Sequence, residues 1–104
     1  MKILFNTDKN VTGSQEIRSS MIAVISEDLN RFDDNITRLE VHLSDENGNK
    51  NGQSDKRCVI EARLHGMHPI AVTNHADSHE LAVTGAVDKL KSSIDKIKGR
   101  MRTY

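Results

Sequence analysis

Hydrophobic and polar residues alternate with two different periods along this 104-residue chain, and the changes of period separate the predicted elements. A short apolar strand is predicted at residues 2–6. Apolar residues then recur at helical spacing and predict a first helix from about 14 to 32; they are Ile17, Met21, Ile25, Leu29 and Phe32. The segment from Thr12 to Gln15 has the form of a capping box, which marks a helix start.

A period of two residues follows, which is typical of half-buried strands. Leu39, Val41 and Leu43 alternate with polar residues, and a second set repeats the pattern: Cys58, Ile60, Ala62 and Leu64. Residues 45–55 between the two sets are polar and punctuated by glycine, which favours a hairpin loop. A tight connection at Gly66 and Met67 leads to a third strand of this meander, predicted at residues 69–74.

A second helix is predicted from about 81 to 102, after Asp77 as the N-cap and Glu80 three residues later. On a helical wheel its apolar residues form one stripe. Lys89, Lys96 and Arg100 line one flank of the stripe, and Lys91, Lys98 and Arg102 line the other; Asp88 and Asp95 lie on the far side. An apolar stripe and a concentrated positive charge therefore share one helix.

The predicted order is β-α-β-β-β-α. Two helices with one apolar face each, and a sheet with alternating faces, pack most simply as a two-layer α+β sandwich with both helices on one face of a four-stranded sheet. The chain shows no repeat or linker, so we expect one domain over residues 1–104.

The formal net charge is zero, but it is unevenly distributed along the chain. Residues 81–104 carry six Lys or Arg against two Asp, a net of +4, so residues 1–80 carry −4. This indicates an anion-binding surface on the second helix. The alternative is that the lysine stems cover the edge of the core and the charges serve solubility and the helix dipole. Aromatic residues are few, so any binding of nucleic acid is expected through phosphates rather than stacked bases.

No pattern typical of catalysis or of a cofactor is present, so we predict a protein that is not an enzyme and has no cofactor. His65, His68, His75 and His79 lie close together in the sequence, but no metal-binding motif includes them and no metal site is predicted. The loop that begins at Asp45 departs from a calcium loop at its sixth and twelfth positions. Cys58 alternates in phase with core residues and is expected in the core.

Charged residues on the opposite strand face from the core are Arg38, Glu40, Arg57, Glu61 and Arg63. We interpret them as a solvated face with opposite charges paired across strands, in preference to an RNA contact. The single cysteine fits a reducing compartment, and neither a signal peptide nor a membrane span is recognisable. A cytoplasmic protein is expected.

Three stretches of the chain together resemble a known family: the strand pair RLEVHLSDENG and DKRCVIEARLHG, the strand PIAVTNHADS, and the helix ELAVTGAVDKLKSSIDKIKGR. The pattern A-V-x-x-A-x-D-K-L-K, which begins at Ala82, carries much of the likeness. The chain is similar over nearly its whole length to the ribosome hibernation promoting factor and ribosome-associated inhibitor family, also called sigma-54 modulation protein or S30EA.

The resemblance implies a fold like that of double-stranded-RNA-binding domains and a function by occlusion. Family members place basic helix residues against 16S ribosomal RNA in the 30S subunit channel and block translation. By this analogy the RNA contacts are Lys89, Lys91, Lys96, Lys98, Arg100 and Arg102, with Arg18 and Arg31 from the first helix. The resemblance implies a partner in the 30S subunit, no DNA, no membrane and a monomer.

The chain differs from typical family members in its first helix, which is basic in those members. Here Arg18 and Arg31 are its only cations, so the RNA surface is expected to rest mainly on the second helix. A long C-terminal extension is also missing, so we expect a short form. The alternative function is a protein-interaction or regulatory module on the same fold, without ribosome binding.

Overall fold

The computed structural model describes residues 1–8, 11, 14–46 and 55–101, with the backbone alone for Ser14, Arg100 and Met101. Its elements follow the order β1 (Lys2–Thr7), α1 (Ser14–Asp28), a short 3-10 helix (Asn30–Phe32), β2 (Ile36–Asp45), β3 (Lys56–Leu64), β4 (Ile70–Ala76) and α2 (His79–Met101). The predicted order is confirmed.

The four strands form one sheet in the order β1-β2-β3-β4. β1 runs parallel to β2, and the two remaining pairs are antiparallel. Alternate side chains of the strands point to one face, where β2 and β3 bury Leu39, Val41, Ile60 and Ala62 almost completely. Both helices pack on this face, α1 beside β1 and α2 over β3 and β4. The predicted α+β two-layer sandwich is therefore confirmed. No described helix packs on the other face of the sheet, which we call the open face.

The apolar stripe of α2 is the main contribution of that helix to the core. Ala82, Val83, Ala86, Val87, Leu90 and Ile94 are completely buried. Burial of each valine, leucine or isoleucine side chain stabilises the fold by roughly 1.5–3 kcal/mol. The stripe therefore fixes the rotation of α2 about its own axis. The cationic flanks therefore point to defined sides of the layer.

The predicted first helix, residues 14–32, extends too far at its C-terminal end. α1 ends at Asp28, and the chain continues through Leu29 into the 3-10 helix. Leu29 and Phe32 are still fully buried, so the tighter 3-10 turn keeps the apolar positions on the core side while it turns the chain towards β2. Of the predicted capping box, Thr12 and Gly13 lie outside the described residues.

The predicted N-cap of α2 is also wrong by one residue. The helix begins at His79, and the backbone N–H of Leu81 donates to Ser78 Oγ at 3.1 Å, so Ser78 rather than Asp77 is the cap. The strand after Pro69 begins at Ile70 and extends to Ala76, two residues beyond the prediction. Gly66 in the preceding turn has a φ of +68°, which favours glycine.

Candidate nucleic-acid interface

One flank of α2 faces the free edge of β4, where a groove of about 470 Å³ separates the helix from the strand. Lys89 and Lys96 line this groove together with Ser92 and Thr73. Lys89 Nζ donates to the backbone carbonyl of Thr73 at 2.8 Å, so its position is fixed, and it forms no ion pair with a carboxylate among the described residues. Lys96 is exposed and forms no ion pair with the described residues. Asp88 also lines the groove, and its Oδ1 lies 3.5 Å from Lys91 Nζ. The groove therefore offers two cations to an anion beside one carboxylate that already has a lysine partner.

The opposite flank of α2 faces the 3-10 helix and the start of β2. Lys98 Nζ lies 3.5 Å from Asn35 Oδ1 and 5.6 Å from the centre of the Phe32 ring. Lys91 Nζ lies 3.5 Å from Asp88 Oδ1, one turn earlier in the helix. Both side chains are half-buried. This flank is consequently less available to a ligand than the flank beside β4.

Arg31 ties the 3-10 helix to α2. Its two terminal nitrogens donate to the carboxylate of Asp95 at 3.1 and 2.9 Å, and its guanidinium lies 3.9 Å from the centre of the Phe32 ring. The hydrogen bonds to Asp95 raise the pKa of Arg31 above its ordinary value. Because the carboxylate already occupies the N–H edge of the guanidinium that binds anions, the RNA contact predicted for Arg31 requires that this pair first separate.

The remaining predicted contacts have different positions. Arg18 is exposed on α1 and forms no ion pair within the described part of the chain. Arg100 lies in the last turn of α2, where the backbone alone is described, and Arg102 lies outside the described residues. Of the eight predicted contacts, Lys89 and Lys96 are therefore the pair that the structure brings together on one groove.

The open face of the sheet departs from the expected pairing of opposite charges across strands. In the strand register Arg38 lies opposite Arg63, and Glu40 lies opposite Glu61, so cross-strand neighbours carry like charges. The ion pair that does form runs along β2, between Arg38 and Glu40. Lys2 of β1 is the partner of Arg38 on its other side. Lys2 is not among the charged residues predicted for this face, because only the register between strands places it in this row.

The histidine segment does not form a metal-binding cluster. His75 lies in β4, where its Nε2 is 3.2 Å from Glu46 Oε1, and His79 is the first residue of α2. His65 and His68 are exposed in the β3–β4 connection. Within residues 1–8, 11, 14–46 and 55–101, no three His, Cys, Asp or Glu side chains are close enough together to hold a metal ion.

Most of the loop that was compared with a calcium site lies outside the described residues, but both of its ends are described. Asp45 and Asp55 are buried there, and Lys56 Nζ lies 3.6 Å from Asp45 Oδ2 and 2.9 Å from Asp55 Oδ1. The hydrogen bond to Asp55 raises the pKa of Lys56. A single lysine ammonium thus pairs with both carboxylates and offsets part of their charge.

Cys58 is completely buried in β3, as its phase predicts, and it is a free thiol. Burial raises the pKa of this thiol to about 12, so the reactive thiolate is scarce at neutral pH. The described helices include none that is long and apolar enough to cross a membrane.

Comparisons with known proteins agree with the fold. The solved N-terminal domain of protein Y from Thermus thermophilus is 20% identical, with a TM-score of 0.63; the match covers 93% of this chain and 99% of that one. A ribosomal subunit interface protein from Coxiella burnetii is 16% identical, with a TM-score of 0.68 and coverage of 95% and 99%. At these identities the likeness concerns the fold. No curated protein matches the chain.

A family model gives the more specific result. It matches residues 6–102, which is nearly the whole chain and includes both helices and the complete meander. The resemblance inferred from the strand pair, β4 and α2 is therefore confirmed: the chain belongs to the family described as sigma 54 modulation protein / S30EA ribosomal protein.

Proposed function

We propose that this protein is a ribosome-binding hibernation factor without enzymatic activity, which occupies the RNA channel of the 30S subunit and blocks translation. Membership of the S30EA family supports ribosome association. The observation that carries the proposal is the groove beside β4, where Lys89 and Lys96 lie together and form no ion pair with the described residues. The binding partner in this proposal is 16S ribosomal RNA.

The chemistry of this surface fits the phosphate backbone better than the bases. Phe5 and Phe32 are the aromatic residues within the described ranges, and both are buried, so those residues offer no platform for base stacking. Lysine ammonium groups instead pair with phosphates and release condensed counterions. Affinity that arises in this way does not depend on the RNA sequence. Specificity for the ribosomal site must therefore come from the shape of the channel.

The mechanism is occlusion. Lys89 is held by Thr73, so the groove is preorganised, and the binding energy is not spent on ordering that side chain. A protein seated on the channel RNA excludes messenger RNA and transfer RNA by volume alone. No bond is formed or broken, and the protein is expected to act in a one-to-one ratio with the 30S subunit, in the cytoplasm and as a monomer.

Co-sedimentation with purified 30S subunits tests this proposal. We expect the wild-type protein to sediment with the subunits at low salt and to dissociate as salt is raised. The double variant Lys89→Gln with Lys96→Gln should bind more weakly, and its salt dependence should fall by roughly 0.7–0.9 in log–log slope for each lost phosphate contact.

Arg57→Gln is the matched control, because Arg57 is an exposed cation on the open face of the sheet, 3.9 Å from Glu46. This variant removes charge without touching the groove and should bind almost as the wild type does. Failure of the wild-type protein to sediment with subunits at low salt would overturn the proposal. Equal weakening by the groove variant and by the control would refute the role of the groove.

A further inference from the structure

A row of three cations crosses the open face of the sheet. Lys2 of β1 is the register partner of Arg38 in β2, and Arg38 is the register partner of Arg63 in β3. This register is unbroken from Arg38 opposite Arg63 to Asp45 opposite Lys56, and it shifts only between Ile36 and Arg38. The shift allows Ile36 and Leu39 to be buried on the same face, while Arg38 lies on the other. Neighbouring strands are about 4.8 Å apart, so the row spans roughly 10 Å.

Such a row is unfavourable for the fold alone. Like charges directly opposite each other on neighbouring strands are destabilising, whereas opposite charges would stabilise the sheet. The negative charges lie in the adjacent row, where Glu40 and Glu61 are also opposite each other. The fold thus groups like charges in rows.

The positive row is only partly neutralised. Arg38 forms an ion pair with Glu40, but Lys2 and Arg63 are exposed and form no ion pair with the described residues. Two arginines are well suited to phosphate, because a planar guanidinium can bind two phosphate oxygens at once. A docking site for a protein would need a buried apolar or aromatic anchor at its centre, and the three side chains of the row are all cationic.

We propose that Lys2, Arg38 and Arg63 bind the phosphates of a second RNA segment on the face of the sheet opposite the helices. This inference rests on the proposed function, because it assumes that the protein enters an RNA-lined channel. The protein would then contact RNA on both faces, with α2 on one wall and the positive row on the other. The weakly basic α1 is compensated in this arrangement by the sheet rather than by a second basic helix.

Arg63→Gln tests the inference, with Arg57→Gln as the control on the same strand. Arg57 lies on the same face, carries the same charge and is outside the row, since its register partners are Ser44 and His75. The probe is the purified 30S subunit, and the readout is affinity between low and moderate salt. We expect Arg63→Gln to weaken binding at least threefold and to lower the log–log salt slope by roughly 0.7, while Arg57→Gln changes neither.

Thermal unfolding of the same variants provides a second readout. Because Arg63 lies opposite Arg38, its replacement by glutamine removes a repulsion, and the Tm is expected to stay the same or rise. Loss of RNA affinity without loss of stability distinguishes a binding role from a structural one. If Arg63→Gln binds as tightly as the wild type, with an unchanged slope, the inference is wrong.

The variant with both groove lysines replaced distinguishes failure of this inference from failure of the proposed function. If Lys89→Gln with Lys96→Gln weakens binding and Arg63→Gln does not, the ribosome proposal stands and the positive row has no RNA contact. If the wild-type protein does not bind 30S subunits at all, both are overturned. A polyglutamate peptide provides the last arm: binding of that peptide that depends on Arg63, with 30S binding unaffected, would assign the row to an acidic protein instead of RNA.

Discussion

Gly85 of α2 packs directly against the side chain of Asn74 in β4. Asn74 of β4 points to the core side, and its Nδ2 donates to the carbonyl oxygens of Leu81 and Ala82 at 3.3 and 3.2 Å. A Cβ atom at residue 85 would lie only 2.8 Å from Asn74 Cγ. The absence of a side chain on Gly85 therefore lets Asn74 join the edge strand to the first turns of α2.

Replacement of the two glycines of α2 by alanine should have opposite effects. Gly85→Ala gains helix propensity but displaces Asn74 from its hydrogen bonds, so we expect the free energy of unfolding to fall by about 1 kcal/mol. Gly99→Ala meets no atom within 4 Å and should raise it by about 0.8 kcal/mol through propensity alone. Urea denaturation of both variants measures this difference; stabilisation by Gly85→Ala would contradict the role assigned to Asn74.

The predictability of single residues depends on how far their interactions reach along the chain. The burial of Cys58 follows from its alternation with Ile60 and could be predicted. The cap of α2 could be placed only to within one residue, because Asp77 and Ser78 are adjacent and both can accept a bond from an N-terminal N–H. The contact between Asn74 and Gly85 depends on how closely strand and helix pack, and the sequence pattern does not contain that distance.

At the scale of elements, the two flanks of α2 were correctly separated by the helical wheel. Lys89 lies against β4, and Lys98 lies against the 3-10 helix and Asn35 on the other side. The wheel could not show which flank remains available, because this depends on neighbours distant in sequence. Asp95, which the wheel places away from the core, bonds Arg31 across 64 residues.

Arg31 and Asp95 should stabilise the fold together rather than separately. Both side chains are more than half exposed, so solvent screens the pair and the expected effect is small. We expect Arg31→Ala and Asp95→Ala each to lower the Tm, and the double variant to lower it by less than the sum of the two. The gap between the Tm change of the double variant and the sum of the two single changes should shrink in high salt.

Arg18→Ala is the control for this cycle, since Arg18 is exposed on α1 without an ion pair among the described residues. Its replacement should leave the Tm almost unchanged. Strictly additive effects of Arg31→Ala and Asp95→Ala at low salt would show that the two side chains do not interact in solution.

The charged residues of the sheet show a limit of sequence reasoning at this scale. Alternation correctly placed Arg38, Glu40, Glu61 and Arg63 on the face opposite the core. The pairing between strands was wrong, because the register of β2 against β3 determines which residues are opposite each other, and the pattern of a single strand does not contain that register. Local pattern gives the face of each side chain, whereas register gives its neighbours.

At the scale of the whole molecule, the fold follows from element order and apolar periodicity, and both were readable in the sequence. The charge distribution is a property of the assembled sandwich. α2 presents Lys89 and Lys96 beside β4 on one layer, and the sheet presents Lys2 and Arg63 on the other. A molecule that is neutral in total can therefore offer positive charge on both faces.

Occlusion of the 30S channel is the central claim, and competition with transfer RNA tests it most directly. Transfer RNA is bound to 30S subunits programmed with messenger RNA, and the protein is added in increasing amounts. We predict that the apparent Kd of transfer RNA rises linearly with the protein concentration, and that the Lys89→Gln with Lys96→Gln variant is a weaker competitor. Unchanged transfer RNA binding at protein concentrations that saturate the subunits would contradict the account.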